Sequence, residues 1–262
     1  MVAVRPPAVA GRFYPGHPKT LAAQVDSMLD AVEVPADDVL APAYVVPHAG
    51  HRYSGPTAAH VYARLRAHAA EIERIVLVGP AHFVPLTGCA VPTVDGWATP
   101  LGEVALDSAA CAELVSRGHA VASDEPHAPE HSLEVQLPFV QRTVPGVPVL
   151  PIAVGLSTVD SVGAALNALR ANGSVLLCST DLSHYLDDAT ARGKDEATIK
   201  AVLERDPGRI GTRDACGVFA LRGLTALAAD LDWTPRVLDY STSADTAGAP
   251  DRVVGYVAMS VA

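Results

Sequence analysis

Ala43-Tyr44-Val45-Val46-Pro47-His48-Ala49-Gly50 is an apolar run of strand length that stops at a proline and leaves a histidine just beyond it. Residues 43–47 are too short for a helix and too continuously apolar for an exposed face, so they read as a buried strand. The same arrangement returns twice. Arg74–Val78 is an apolar strand followed by Gly79-Pro80-Ala81-His82. Ser174–Ser179 is a third, followed by Thr180-Asp181-Leu182-Ser183-His184.

Helical patterns lie between and after these strands, over Pro56–Ala67, Asp107–Arg117, Glu134–Val144 (broken by Pro138), Thr158–Ala171, Thr190–Glu204 and Asp214–Ala229. Asp107 or Ser108 is suited to cap the second of them. Val147–Val154, Arg236–Tyr240 and Arg252–Val261 read as further strands. Strands separated by helices of ten or more residues need crossover connections. The expectation is an α/β fold with a central, mainly parallel sheet flanked by helices. No repeat or long linker divides the chain, and the polar stretch Tyr240–Asp251 reads as a loop between two strands. A single domain over residues 1–262 is expected.

In open α/β sheets, ligands sit beyond the carboxyl ends of the strands. Histidines past three such ends would converge on one crevice, and imidazole is a frequent transition-metal ligand. His48, His82 and His184 are therefore candidate pocket residues, with Asp181 beside His184 as a general base or an orienting carboxylate. His131, in Glu130-His131-Ser132-Leu133-Glu134-Val135-Gln136, has two readings. It belongs to a helix cap with Ser132 as N-cap, or to a helix start aimed at the pocket. His127 is a weaker alternative nearby. Cys216, in Asp214-Ala215-Cys216-Gly217, lies near a predicted helix start, where a thiol is held as thiolate; its other reading is an ordinary buried cysteine. Cys89, Cys111 and Cys178 lie in apolar elements, and His17, His60, His68 and His119 read as surface residues. Tyr53 and Tyr185 flank the proposed pocket.

Composition narrows the partners. The formal charge is −10 over 262 residues, which disfavours phosphate backbones and anionic membranes, since both are recognised by Lys and Arg. Apolar residues are 49% of the chain, yet no run approaches the roughly 18–20 residues that span a bilayer. The first residues carry no secretory pattern, and the four cysteines form no CxxC. A reducing cytoplasm is the expected compartment. The oligomeric state is left open.

The string Pro47-His48-Ala49-Gly50-His51-Arg52-Tyr53-Ser54-Gly55 resembles the signature of the Memo family. The resemblance extends through residues 5–15, Gly79–His82, Glu130–Pro138, Ser179–Tyr185 and Asp214–Gly217. In bacteria the family includes the B component of the AmmeMemoRadiSam system, and animal members are implicated in cell motility signalling. The resemblance implies a fold similar to class III extradiol dioxygenases, which bind iron(II) through two His and a carboxylate. In Memo proteins the matching ligands are two His and one Cys. Carried over by motif, they are His48, His82 and Cys216, with Asp181, His184 and His131 as candidates for catalytic proton transfer in the same pocket. The family usually has an aromatic residue where this chain has His51, an added imidazole that either ligates or faces solvent.

A thiolate is soft, so the implied cofactor is copper or iron, with copper favoured over the oxygen-activating iron(II) pattern. The competing functions are metal-dependent redox chemistry, a non-haem iron extradiol-type dioxygenase, non-catalytic binding of a metal, small molecule or peptide in the pocket, and zinc-dependent hydrolysis. No HExxH motif supports the last, and no GxSxG supports a serine hydrolase. Whether the chain is an enzyme is left open.

Overall fold

The computed structural model describes residues 3–262. The chain begins with β1 (Val4–Arg5), α1 (Pro18–Asp30), β2 (Ala43–Val46), α2 (His51–Ala67) and β3 (Arg74–Pro80). It continues with β4 (Cys89–Val91), β5 (Gly96–Thr99), β6 (Gly102–Ala105), α3 (Ser108–Ser116), β7 (Val121–Ala122) and α4 (Leu137–Thr143). Next come β8 (Val149–Val154), α5 (Val159–Ala168), β9 (Ser174–Ser179), β10 (His184–Leu186) and α6 (Asp188–Leu203). α7 (Val218–Asp230), β11 (Pro235–Thr242) and β12 (Val253–Val261) complete it.

Nine strands form one sheet in the order β10-β12-β2-β9-β3-β8-β4-β7, with β11 paired to β12. β2, β9, β3 and β8 are parallel neighbours. β12 runs antiparallel to β2, β11 and β10, and β4 antiparallel to β8. The sheet is thus mixed, which corrects the expectation of a mainly parallel one. The reason is visible in the chain: only the three-residue 3-10 turn Ser243–Asp245, and no α-helix, separates β11 from β12, so they close as a hairpin-like pair, and only crossovers enforce parallel strands. β1, β5 and β6 make a separate small sheet that the sequence reading did not foresee. Their alternation is short and interrupted by glycines.

The parallel strands are apolar on both faces. Val45, Val76, Val78, Leu176 and Cys178 point into one core with α3, α5, α6 and α7. Tyr44, Val46, Ile75, Leu77 and Leu177 point into the other, with α1, α2 and α4. The period-two alternation of equally apolar residues is what a sheet covered on both sides requires.

Several boundaries shift. α2 starts at His51, five residues before the proline expected to open it, and carries Pro56 inside. Pro138 does not break a helix but sits in the first turn of α4, where its missing N–H costs nothing. Asp107 caps α3 as expected, accepting from the Ala110 N–H. α7 begins at Val218, so Cys216 precedes it. No helix among the described residues is long and apolar enough to cross a membrane.

Candidate metal centre

β2, β9 and β3 lie side by side and parallel, so their carboxyl ends open on the same edge of the sheet. His48, Asp181 and His82 come within a few residues of those ends. Ring centroids lie 5.3 Å apart for His48 and His82, 5.5 Å for His48 and His131, and 4.7 Å for His82 and His131. Cys216 arrives from the loop before α7, its Sγ 3.1 Å from His48 Nε2. A Cβ on Gly217 would crowd Thr180 and the Ser179 carbonyl at 2.8–2.9 Å, so only glycine lets this loop press so closely on the end of β9.

One donor atom from each of His48, His82 and Cys216 lies within 4.8 Å of the others. Two overlapping sets meet the same condition: Asp181, His184 and Cys216, and His82, Glu130 and His131. All six residues singled out for the site therefore gather in one place, although they span positions 48 to 216.

The hydrogen bonds fix which imidazole nitrogen faces the centre. Ser179 Oγ donates to the Ser132 carbonyl at 2.6 Å and accepts from the Gln136 amide at 2.9 Å. With its proton so committed, it accepts from His48 Nδ1 at 3.0 Å. The Nε2 lone pair of His48 is left facing Cys216. Glu130 does the same for His82, taking its backbone N–H at 2.5 Å and Nδ1 at 2.9 Å. Glu130 also accepts from the backbone N–H groups of His131 and Ser132, both at 2.9 Å, and lies 3.2 Å from His131 Nδ1. His184 Nδ1 donates to the Leu182 carbonyl at 2.8 Å. An imidazole anchored through one nitrogen to a carboxylate or carbonyl, with the other free, is the usual preparation of a metal ligand.

Burial shapes the charges. It pushes His48 well below its ordinary pKa, with His82 and His131 adding to the effect, so this ring is a neutral donor. Burial raises the Asp181 carboxyl, partly offset by His184 and by the His48 N–H, which donates to Oδ1 at 2.7 Å. Burial acts upward on Glu130 too, but the hydrogen bonds from His131 and His82 overcome it and hold the carboxyl far below its usual range. The Cys216 thiol is pushed well up by burial, with Asp181 reinforcing it. Of the two readings of Cys216, burial favours the neutral thiol over the thiolate: desolvation outweighs the helix start. A bound cation would itself displace the proton.

Glu130, Ser179 and Gln136 were not identified from sequence as site residues. Glu130 looked like part of a polar stretch just before a helix, and Ser179 like the last residue of a strand. His51 does not reach the centre. Its Nε2 donates to the Val135 carbonyl at 2.8 Å, and its ring packs between Tyr14 and Phe139. His127 is also buried elsewhere, with Nε2 3.1 Å from the Ala90 carbonyl beside Trp97. Tyr185 is exposed in a left-handed conformation, φ 63°, under the Arg252 guanidinium.

His51 carries a pH prediction. Its Nδ1 is buried without a partner, and burial pushes its pKa from the ordinary 6.5 down to about 4. Between those values the unfolded chain binds a proton that the folded chain refuses, so stability is present above pH 6.5 and falls as pH drops toward 4. Each such group contributes a slope of at most about 1.4 kcal/mol per pH unit. Urea unfolding of His51→Phe across this window is expected to show a shallower loss than the wild type. An unchanged slope would show that His51 is not the titrating group.

The architecture and site define an α/β protein whose clustered His, Cys and Asp side chains, at the carboxyl edge of its sheet, could hold a metal ion. A family profile described as "Memo-like protein" matches residues 5–260, and the chain belongs to that family. It is similar to a MEMO1 family protein of Methanosarcina barkeri, at 37% identity over 98% of this chain and 100% of the relative. MEMO1 family proteins of Pyrobaculum arsenaticum and Aquifex aeolicus are each 34% identical, over 98% of both chains. Among solved structures, an uncharacterized protein from Escherichia coli K12 superposes with a TM-score of 0.49 at 14% identity, covering 83% of this chain and 100% of that one.

Proposed function

We propose that the pocket binds a soft or borderline transition metal, copper or iron, through His48, His82 and Cys216, and supports redox chemistry there. The observation that carries this reading is the closeness of the three donor atoms, all within 4.8 Å, while the outward nitrogens of both rings are tied to Ser179 and Glu130. Two imidazoles and a thiol are poor partners for magnesium or calcium, which want several oxygens. The metal, when bound, would supply one-electron chemistry.

The protein's own groups would do the rest. His48 and His82 present lone pairs in a fixed direction. Cys216 gives up its thiol proton on metal binding. His184, with Nδ1 committed to Leu182, keeps Nε2 available for proton transfer, and Asp181 lies in the same pocket. His131 stacks on His82 as a further imidazole for a proton or a ligand.

A reading closer to class III extradiol dioxygenases would use the His82, Glu130, His131 set as two histidines and a carboxylate. Both oxygens of Glu130 already accept N–H donors, which argues for an orienting carboxylate and against a ligand. We therefore place the thiolate set first. The kinship with those dioxygenases is proposed on the resemblance of the motifs alone.

Metal analysis of protein purified without an affinity tag, followed by calorimetry with copper(I), iron(II), zinc and magnesium, tests the reading. Tight binding is expected for at least one of the first three and none for magnesium. Iron-loaded protein given a panel of catechols is expected to take up no oxygen above background. Magnesium binding as tight as copper(I) would overturn the proposal.

A further inference from the structure

Beside the metal centre is a cleft of about 330 Å³. Its walls come from the loop between β3 and β4, the end of β8 and the start of α7. Val84, Leu86, Leu156 and Phe219 line it, and Phe83 and Leu156 stand on it 58% and 67% exposed. No Lys, Arg, Asp or Glu lines it. Its polar side chains are His82 and Cys216, two of the residues assigned to the metal.

The walls are built, not collapsed. Ala81 N–H donates to the Val154 carbonyl at 3.1 Å, Leu156 N–H to the Leu86 carbonyl at 2.8 Å, and Gly88 N–H to the Leu156 carbonyl at 2.9 Å. A Cβ on Gly155 would collide with the Leu86 carbonyl, so glycine is needed for this close pairing. The β3–β4 loop is thereby laced to the end of β8, and two large apolar side chains are held facing water. Exposing them costs free energy unless something covers them.

We infer that this cleft is the substrate site, and that it takes a neutral, largely apolar small molecule of up to three rings, whose polar end faces His82 and Cys216. The role of that polar end rests on the metal reading proposed above; the apolar recognition does not. The volume is at the low end for small-molecule pockets, which run from roughly 300 to 1,000 Å³, and leaves little room for a peptide segment. An anionic ligand would lose its hydration with no Lys or Arg on the walls to replace it, in a chain of net charge −10.

A matched pair of dyes tests this. N-phenyl-1-naphthylamine is neutral, and 8-anilino-1-naphthalenesulfonate has the same rings plus a sulfonate. Both are titrated by fluorescence against the whole, chelator-treated chain. Saturable one-to-one binding of the neutral dye is expected, at least roughly tenfold tighter than the sulfonate, because the added charge is desolvated unpaired. Leu156→Glu places a carboxylate on the rim without touching the core, and should weaken the neutral dye about tenfold. Val39→Glu changes an apolar residue that is 79% exposed and outside this cleft, and should leave binding unchanged.

The inference is overturned if the neutral dye does not saturate, if the sulfonate binds as tightly, or if the two variants behave alike. Dye bound with no metal held sinks the metal reading alone. Metal held with no dye bound sinks the cleft alone.

Discussion

Glu134→Ala is expected to lower the unfolding free energy by about 3–5 kcal/mol, the usual loss when one partner of a buried ion pair is removed. Glu134 is fully buried, and its carboxylate meets Arg5 Nη1 at 2.7 Å, with Arg5 only 6% exposed. The same carboxylate accepts the N–H groups of Ala8 and Val9 at 2.7 and 2.9 Å and the Tyr14 hydroxyl at 2.7 Å. Arg5 in turn donates to the carbonyls of His127 at 2.8 Å and Glu130 at 2.8 Å. One side chain therefore clasps the segment from Arg5 to Tyr14 onto the turn that carries Glu130 and His131. Its removal would leave a buried guanidinium, two amides and a hydroxyl without their acceptor. Urea melts of Glu134→Ala, Arg5→Ala and the double variant check this, with the double expected to lose much less than the sum because the residues act as a unit. A loss under about 1 kcal/mol for Glu134→Ala would place the clasp among contacts of surface strength.

Glu130→Gln is expected to weaken copper(I) binding by about 10–100-fold, as loss of an orienting partner behind a metal-bound histidine commonly does. Four N–H donors converge on the Glu130 carboxylate: the backbone and Nδ1 of His82, and the backbones of His131 and Ser132. A glutamine amide offers one oxygen and an NH₂ group, so at least one of those donors would face another donor. His82 would then lose the anchor that leaves its Nε2 free. Nitrogen chemical shifts of the imidazoles distinguish this positioning role from simple loosening. The wild type should hold His82 protonated at Nδ1 in the metal-free state, and the variant should mix tautomers while thermal melts show it still folded. An unchanged copper(I) affinity would assign Glu130 to the fold and not to the centre.

Much of this site was legible because its main parts sit where strands end. His48, His82 and Asp181 each come just after a strand of unambiguous apolar character, and neighbouring parallel strands deliver such residues to one edge of the sheet. His184 was legible by the same logic, and His131 by its place at a helix start and by the Memo resemblance. Glu130 was not legible, since an acidic residue before a short helical turn has the same local signature whether it faces water or two imidazoles. The identity of its partners depends on β3 and the 127–136 turn meeting across the fold. Cys216 lies beside His48, and of its two readings, thiolate or buried thiol, burial favours the thiol, because burial is a tertiary property that a predicted helix start cannot supply. His51 was left between ligand and solvent; it is neither, since α2 begins early enough to turn that ring into the core. The sheet's antiparallel half comes from an absence, the missing α-helix between β11 and β12, which the alternation of strands and helices elsewhere obscured.

The central claim is that His48, His82 and Cys216 hold the metal together. X-ray absorption at the copper edge, recorded on the copper(I)-loaded whole chain and on Cys216→Ser, tests it most directly. The account predicts one sulfur neighbour together with imidazole nitrogens in the wild type, and a shell without sulfur, or no bound copper, in the variant. A wild-type shell of nitrogen and oxygen alone, or a sulfur that survives in Cys216→Ser, would contradict it.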